Sequence, residues 1–309
     1  MIICFFHFIL IVKNNIYNYF ISEKDKTKII KIMEVVDNTE LFMGTAKWLF
    51  FQNTFIINGK KCRIVEVEFY QTPDPFIHGD LDQLEIGRFY FHRQPTKDGS
   101  QGSYKGGTYK GLDITIGQKD RNICGGALIR SILTPVGVIE GPCNVVNFIL
   151  KETGHDDISS LIDNIFKIGK VLPVNINTEG ACLRLVTDKY EESRIYNAPR
   201  VGLTLKRETQ NMGMYCRHLM KEYRFTWLSG QIKICKYMFI VCARKYGVPD
   251  NTIIQDWNIS TASGIMSRWV TYFINGKTMS CAQFLQSETK GLSKVSQQLN
   301  AYGFFSHNN

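Results

Sequence analysis

Apolar and polar residues alternate along Arg63-Ile64-Val65-Glu66-Val67-Glu68-Phe69-Tyr70, the mark of an extended strand with two unlike faces. Ile64, Glu66, Glu68 and Tyr70 share one face, and Val65, Val67 and Phe69 point the other way, into a core. Asn58-Gly59 between two extended runs predicts a hairpin that leads into this strand, over 62–70. Leu41, Phe42 and Ala46 recur at helical intervals and predict a helix from Thr39 to Trp48. Further strands are expected over 87–93, 109–117, 124–132, 180–188 and 200–206. Helices are expected from Gly141-Pro142-Cys143 through Leu150, over 159–168 and over 232–246. Between them, 71–86 is a loop rich in Pro, Asp and Gly, and 94–108 is a polar, Gly-rich connection.

Strands joined by hairpins of this kind make an antiparallel or mixed sheet, not a doubly wound parallel one. The expected class is therefore α/β (mixed α+β), with helices flanking the sheet and a helical C-terminal extension. The organisation reads as an N-terminal extension at 1–35, a main domain at 36–228 and a helical region of unassigned role at 229–309. The apolar run from Ile2 to Val12 is shorter than the about 20 residues a bilayer span needs. It also lacks the basic lead and small-residue cleavage site of a secretory signal.

Composition narrows the partners more than the fold. In 309 residues, 44% are hydrophobic and 21% charged, as in an ordinary globular protein. The 37 Lys and Arg against 28 Asp and Glu leave a formal charge of +9, which favours a polyanionic partner such as nucleic acid or an anionic membrane surface. The nine cysteines form no Cys-x-x-Cys pair, so reduced thiols in an intracellular compartment are the simplest reading. The six histidines fall at no ligand spacing, and no metal or organic cofactor is expected.

Candidate chemistry centres on Glu68, Tyr70 and His78: a carboxylate, a ring and an imidazole on one strand and the loop leaving it. Read alone, Glu68 is either a solvated surface carboxylate or a poised acid–base group. Several segments in order change that balance. Arg63 to Tyr70 with His78, Gly87-Arg88-Phe89-Tyr90-Phe91-His92, Gly126-Ala127-Leu128-Ile129-Arg130, Gly141-Pro142, Pro199-Arg200-Val201-Gly202 and Tyr223-Arg224-Phe225 together resemble the alkyladenine (3-methyladenine) DNA glycosylase family over roughly 41–228. The resemblance implies a methylpurine-DNA glycosylase-like domain with a curved sheet. It also implies excision of an alkylated or deaminated purine after the nucleotide is flipped from the duplex.

By that resemblance, Glu68 activates the water that attacks C1′, with Arg130 and Val201 helping to hold it. Tyr70 and His78 sandwich the base, with His92 where the family commonly has a second stacking tyrosine. Asp113 stands where the family has an asparagine that helps exclude guanine; a carboxylate there accepts hydrogen bonds and cannot donate them. Gly79-Asp80 replaces small-polar and basic residues, which sets an acid beside the phosphate path. The connection 99–107 corresponds to the hairpin that enters the minor groove; Tyr104 is the first candidate wedge and Tyr109 the second. Lys97, Lys105 and Lys110, with Arg88, Arg93, Lys206 and Arg207, are candidates for phosphate contacts. The expected partner is double-stranded DNA bearing damaged purines, the expected state a monomer without stable membrane association, and the expected compartment intracellular, the nucleus or, in an organism without one, a nucleoid or organelle. A catalytically inactive nucleic-acid reader of the same fold is the alternative.

Overall fold

The computed structural model describes residues 38–96, 102–166, 174–175, 177, 180–205, 212–261, 264–280, 283–284, 292 and 294–308. The extension 1–35, Lys97, Lys206 and Arg207 lie outside them. Two compact units divide the chain, Met1–Thr45 and Ala46–Asn309. Helix α1, Thr39–Phe51, contains that boundary, and all that follows belongs to the second unit.

The second unit is mixed α and β, built on a curled antiparallel sheet of ten strands. These are β1 (Asn53–Ile57), β2 (Lys60–Gln71), β3 (Ile86–Phe91), β4 (Leu112–Ile116), β5 (Gly125–Thr134), β6 (Gly137–Glu140), β7 (Val174–Asn175), β8 (Leu183–Thr187), β9 (Tyr196–Ala198) and β10 (Arg224–Thr226). The main order is β7-β3-β4-β5-β2-β1-β8; β10 joins β2 to β9, and β6 extends from β5. The helices are α2 (Pro142–Thr153), α3 (Ile158–Phe166), α4 (Met212–Leu219), α5 (Lys236–Lys245), α6 (Asp250–Asp256), α7 (Ile265–Lys277) and α8 (Val295–Asn308).

Local sequence accounts for much of this. Asn58 and Gly59 both take positive φ (45° and 81°), the tight turn that matches strand twist, so β1 and β2 pair without a splay. Gly141 turns the chain at φ 99°, and Pro142 opens α2 where its missing N–H costs nothing. Gly154, left-handed at φ 70°, closes the same helix. Strand β2 is nearly continuous in burial because β5 lies along one edge and β1 and β10 share the other.

The segment 200–206, expected as a strand, is a loop over its described residues 200–205. The strand lies earlier, at β9, and pairs with β10. The reason is that the loop's polar groups are engaged elsewhere. Arg200 is buried, donating to the Phe69 carbonyl, Asp74 and the His218 carbonyl, and the Val201 N–H goes to Glu68.

Val65 on β2, and Tyr196 and Ala198 on β9, share one apolar cluster with Phe239, Ile240, Trp257, Phe273 and Tyr302 from the helices beyond residue 228. A second cluster joins Leu205 and Leu219 to Phe284, Ala301, Phe304 and Phe305, with Phe76 and Leu203 packed against it. Residues on both sides of position 228 therefore bury one another. Among the described residues, no helix is long and apolar enough to cross a membrane. Phe239 is fully buried and stacked on Trp257 at 5.2 Å. Phe239→Ala is expected to cost about 3–5 kcal/mol and to lower sheet and helix signals in one urea transition; two separate transitions would show that the helices are an independent unit.

Candidate active site

Strand register assembles the site. Leu128 of β5 pairs with Glu68 on one side and Asp113 of β4 on the other, and Tyr90 of β3 pairs with Asp113. Directly paired residues share a face, so Glu68 and Asp113 stand two strands apart, about 10 Å by ordinary strand spacing. Tyr70 pairs with Gly126, whose missing side chain matters: a Cβ there would come within 2.5 Å of Asp113 Oδ2.

Glu68 is fully buried, which excludes the solvated-surface reading. Its Oε1 accepts from the Val201 N–H at 2.7 Å. Its Oε2 accepts from the Tyr70 hydroxyl at 2.9 Å and from Arg130 Nη1 at 3.2 Å. A carboxylate has about four acceptor positions, and protein donors take three of those on Glu68. Burial raises the Tyr70 phenol far above its ordinary pKa, and the Glu68 charge raises it further. Tyr70 therefore remains a donor, and Arg200 covers its ring at 4.6 Å.

Behind Glu68 lies a second carboxylate. Glu66 accepts from Arg130 Nε at 3.1 Å, from Arg224 Nε at 2.6 Å and from the Ser131 hydroxyl. Burial alone would raise the Glu66 pKa, but Arg224 and Arg130 reverse this and hold it below the usual carboxylate range. Burial likewise works against the Arg130 charge; Glu68 and Glu66 more than offset it.

In front of Glu68 is a cleft of about 170 Å³, lined by Tyr70, Phe76, Ile77, His78, Gln83, His92, Asp113 and Leu203. It falls below the roughly 300 Å³ of pockets that take drug-sized ligands, and so suits a base-sized group rather than a whole nucleotide. Glu68 does not line it and reaches it through the Tyr70 hydroxyl. His92 lies edge-to-face on His78 at 4.3 Å, and its Nε2 donates to Asp113 Oδ1 at 2.7 Å. Lys105 Nζ meets His78 Nε2 at 2.9 Å. An ammonium only donates, so Nε2 accepts and the imidazole proton sits on Nδ1. Although His78 keeps part of its surface exposed, desolvation of the ring by the cleft wall, then the nearness of His92 and Lys105, pushes it down to about 4.

The remaining candidates separate. Tyr104 is half-buried under Arg93, which lies 5.2 Å over its ring, whereas Tyr109 is 76% exposed at the tip of the turn Gly107–Tyr109, next to Lys110. Lys105 is engaged by His78. Arg93, a candidate phosphate contact, is instead buried against Asp82 (2.6 Å) and Asp80 (3.2 Å). The same pairs neutralise Asp80, so the acid at that position is a fold element. Gln83 was not legible from sequence: it lies in the loop 71–86, and only the turn Leu81–Leu84, capped by Asp80, brings it to the cleft. Among the described residues, no group of three His, Cys, Asp or Glu is gathered to hold a metal ion.

No protein-family model matches the chain. It is similar to an uncharacterized protein of Acanthamoeba polyphaga mimivirus, 35% identical over 186 residues, a match that spans 55% of this chain and 81% of the viral protein.

The His78 environment fixes a pH response. A histidine with its pKa lowered from 6.5 to about 4 is charged more readily in the unfolded chain. Its contribution therefore lowers stability as pH falls from about 6.5 to about 4 and is constant above that window. Lys105→Met is expected to raise the His78 pKa, followed by imidazole resonances in an NMR titration. An unchanged pKa would show that Lys105 does not face the ring in solution.

Proposed function

The chain belongs to the family of this mimivirus protein, and we propose that it is a monofunctional purine-DNA N-glycosylase whose fold is of the alkyladenine DNA glycosylase kind. One observation carries the reading: a fully buried carboxylate, Glu68, is fixed by a guanidinium, a backbone N–H and a phenol, and that phenol's own residue, Tyr70, lines a base-sized cleft walled by rings.

The chemistry follows from those contacts. A base inside the duplex cannot expose its glycosidic bond, so the nucleotide is extruded into the cleft. Tyr70 and His78 offer faces for the base, and stacking of this kind contributes about 1–3 kcal/mol per base. The open acceptor position on Glu68 takes a water and receives its proton as the water attacks C1′. The Glu68 charge also stabilises the positive character that develops on the sugar as the base leaves. Arg130 acts behind Glu68 and holds it in place by donating to its Oε2. Tyr109 is the better placed wedge for the space the base vacates, with Lys110 and the basic surplus of the chain on the phosphates.

One observation favours a second reading, a damaged-DNA reader that cuts nothing: Glu68 is not itself a wall of the cleft. A single assay separates the two. Duplexes carrying one hypoxanthine, one ethenoadenine or one methylated purine are incubated with the protein, and abasic sites are counted. The glycosylase reading expects release by the wild type and a fall of about 10²- to 10⁴-fold in Glu68→Gln, with duplex binding retained, assayed below the variant's thermal midpoint, which the loss of a buried charge lowers. Lesion-selective binding without release establishes the reader, and neither binding nor release overturns both.

A further inference from the structure

Gln83 is 1% exposed and lines the cleft, yet its Oε1 has no hydrogen-bond partner. Its orientation is not free. The Nε2 group donates to Asp113 Oδ2 at 3.2 Å, and turning the amide over would set oxygen against carboxylate oxygen. Asp113 is itself held, because its other oxygen accepts from His92 at 2.7 Å. Nor can the backbone retreat: a Cβ on Gly117 would come within 2.0 Å of the Gln83 carbonyl oxygen. The turn that carries Gln83 is pinned through Asp80 by Arg93. The result is a rigid, desolvated acceptor in the wall of a base-sized cleft. Such a group is costly unless a ligand or water supplies a donor.

Resting on the purine-excision reading, we infer that Gln83 is a specificity-determining residue that accepts a hydrogen bond from an N–H of the bound base. The class selected is then purines with a donor on the edge that enters the cleft. Hypoxanthine, with its N1–H, qualifies. Ethenoadenine does not, because its second ring consumes both N1 and the exocyclic amine and leaves no N–H on that edge. A site built to satisfy a buried acceptor rejects the ligand that lacks the donor, since the acceptor is then left unpaired.

The experiment uses the full chain and two N9-methylated bases, 9-methylhypoxanthine and 9-methyl-1,N6-ethenoadenine, in which the methyl group stands for the sugar and removes the N9–H; they are titrated by calorimetry and by the side-chain amide resonance of Gln83. Wild type is expected to bind hypoxanthine at least about fivefold tighter than ethenoadenine, the scale of one hydrogen bond, with the Gln83 amide shifting only for hypoxanthine. Gln83→Met should erase that preference while leaving ethenoadenine affinity within about twofold. Equal affinity of the wild type for the two bases overturns the assignment and needs no variant to fold, as does an equal effect of Gln83→Met on both. If neither methylated base binds, the assignment also fails. Base release from lesion duplexes then tells whether the purine-excision reading survives it.

Discussion

Two carboxylates buried side by side on β2 are the constraint around which the second unit is arranged. Glu66 and Glu68 are 1% and 0% exposed, and carboxylates are almost never buried without partners. Arg130 reaches both from β5, and Arg224 reaches Glu66 from β10, so two negative charges meet two positive ones across three strands. Breaking such a set by removing one partner costs about 3–5 kcal/mol, because the remaining charge stays buried. The same set makes strand register a matter of charge as well as apolar pattern. The irregular pairing between Ile64 and Val67 brings Glu66 opposite Ser131, its hydroxyl donor, while Glu68 pairs with Leu128. A slip of one residue would turn both acids to the apolar face.

From that network the cleft is a short step outward. Glu68 to the Tyr70 hydroxyl is one hydrogen bond, and Tyr70 already lines the cleft. The opposite wall is a second chain of polar contacts, His92 to Asp113 to Gln83. Between the two walls lies Gly126, whose missing side chain makes room for the Asp113 carboxylate. The helices after residue 228 also bear on this geometry, since Phe76 and Leu203 line the cleft and pack against the cluster that holds Phe304 and Phe305.

The parts legible in the sequence are those set by neighbours along the chain. Alternation marked β2, Asn58-Gly59 marked the hairpin, and Gly141-Pro142 marked the start of α2. The face shared by Glu66, Glu68 and Tyr70 was legible too, but not that it is buried, because burial there comes from Arg224, which is 158 residues away from Glu66. The strand expected at 200–206 failed for the same reason. Its apolar residues looked extended, and only the three-dimensional positions of Glu68, Asp74 and His218 show why the backbone and Arg200 turn elsewhere. Gln83 had no local signal at all, since a glutamine in a polar loop acquires meaning only when Asp113 fixes its amide.

The polar residues at positions 80, 92 and 113 are not independent of their neighbours. Asp80 is balanced by Arg93, which is balanced again by Asp82. Asp113 is balanced by His92 and Gln83, and His92 packs on His78, whose Nε2 faces Lys105. Each of these groups therefore meets its partner within one hydrogen bond. An asparagine placed at position 113 would present one oxygen where the two partners now bond two, so either His92 or Gln83 would face an amide N–H₂ instead of an acceptor. Gln83 would tolerate this only by turning its own amide, which would convert the acceptor it offers the cleft into a donor. Selectivity in such a site is a property of the whole polar wall, and it moves by linked changes rather than one residue at a time.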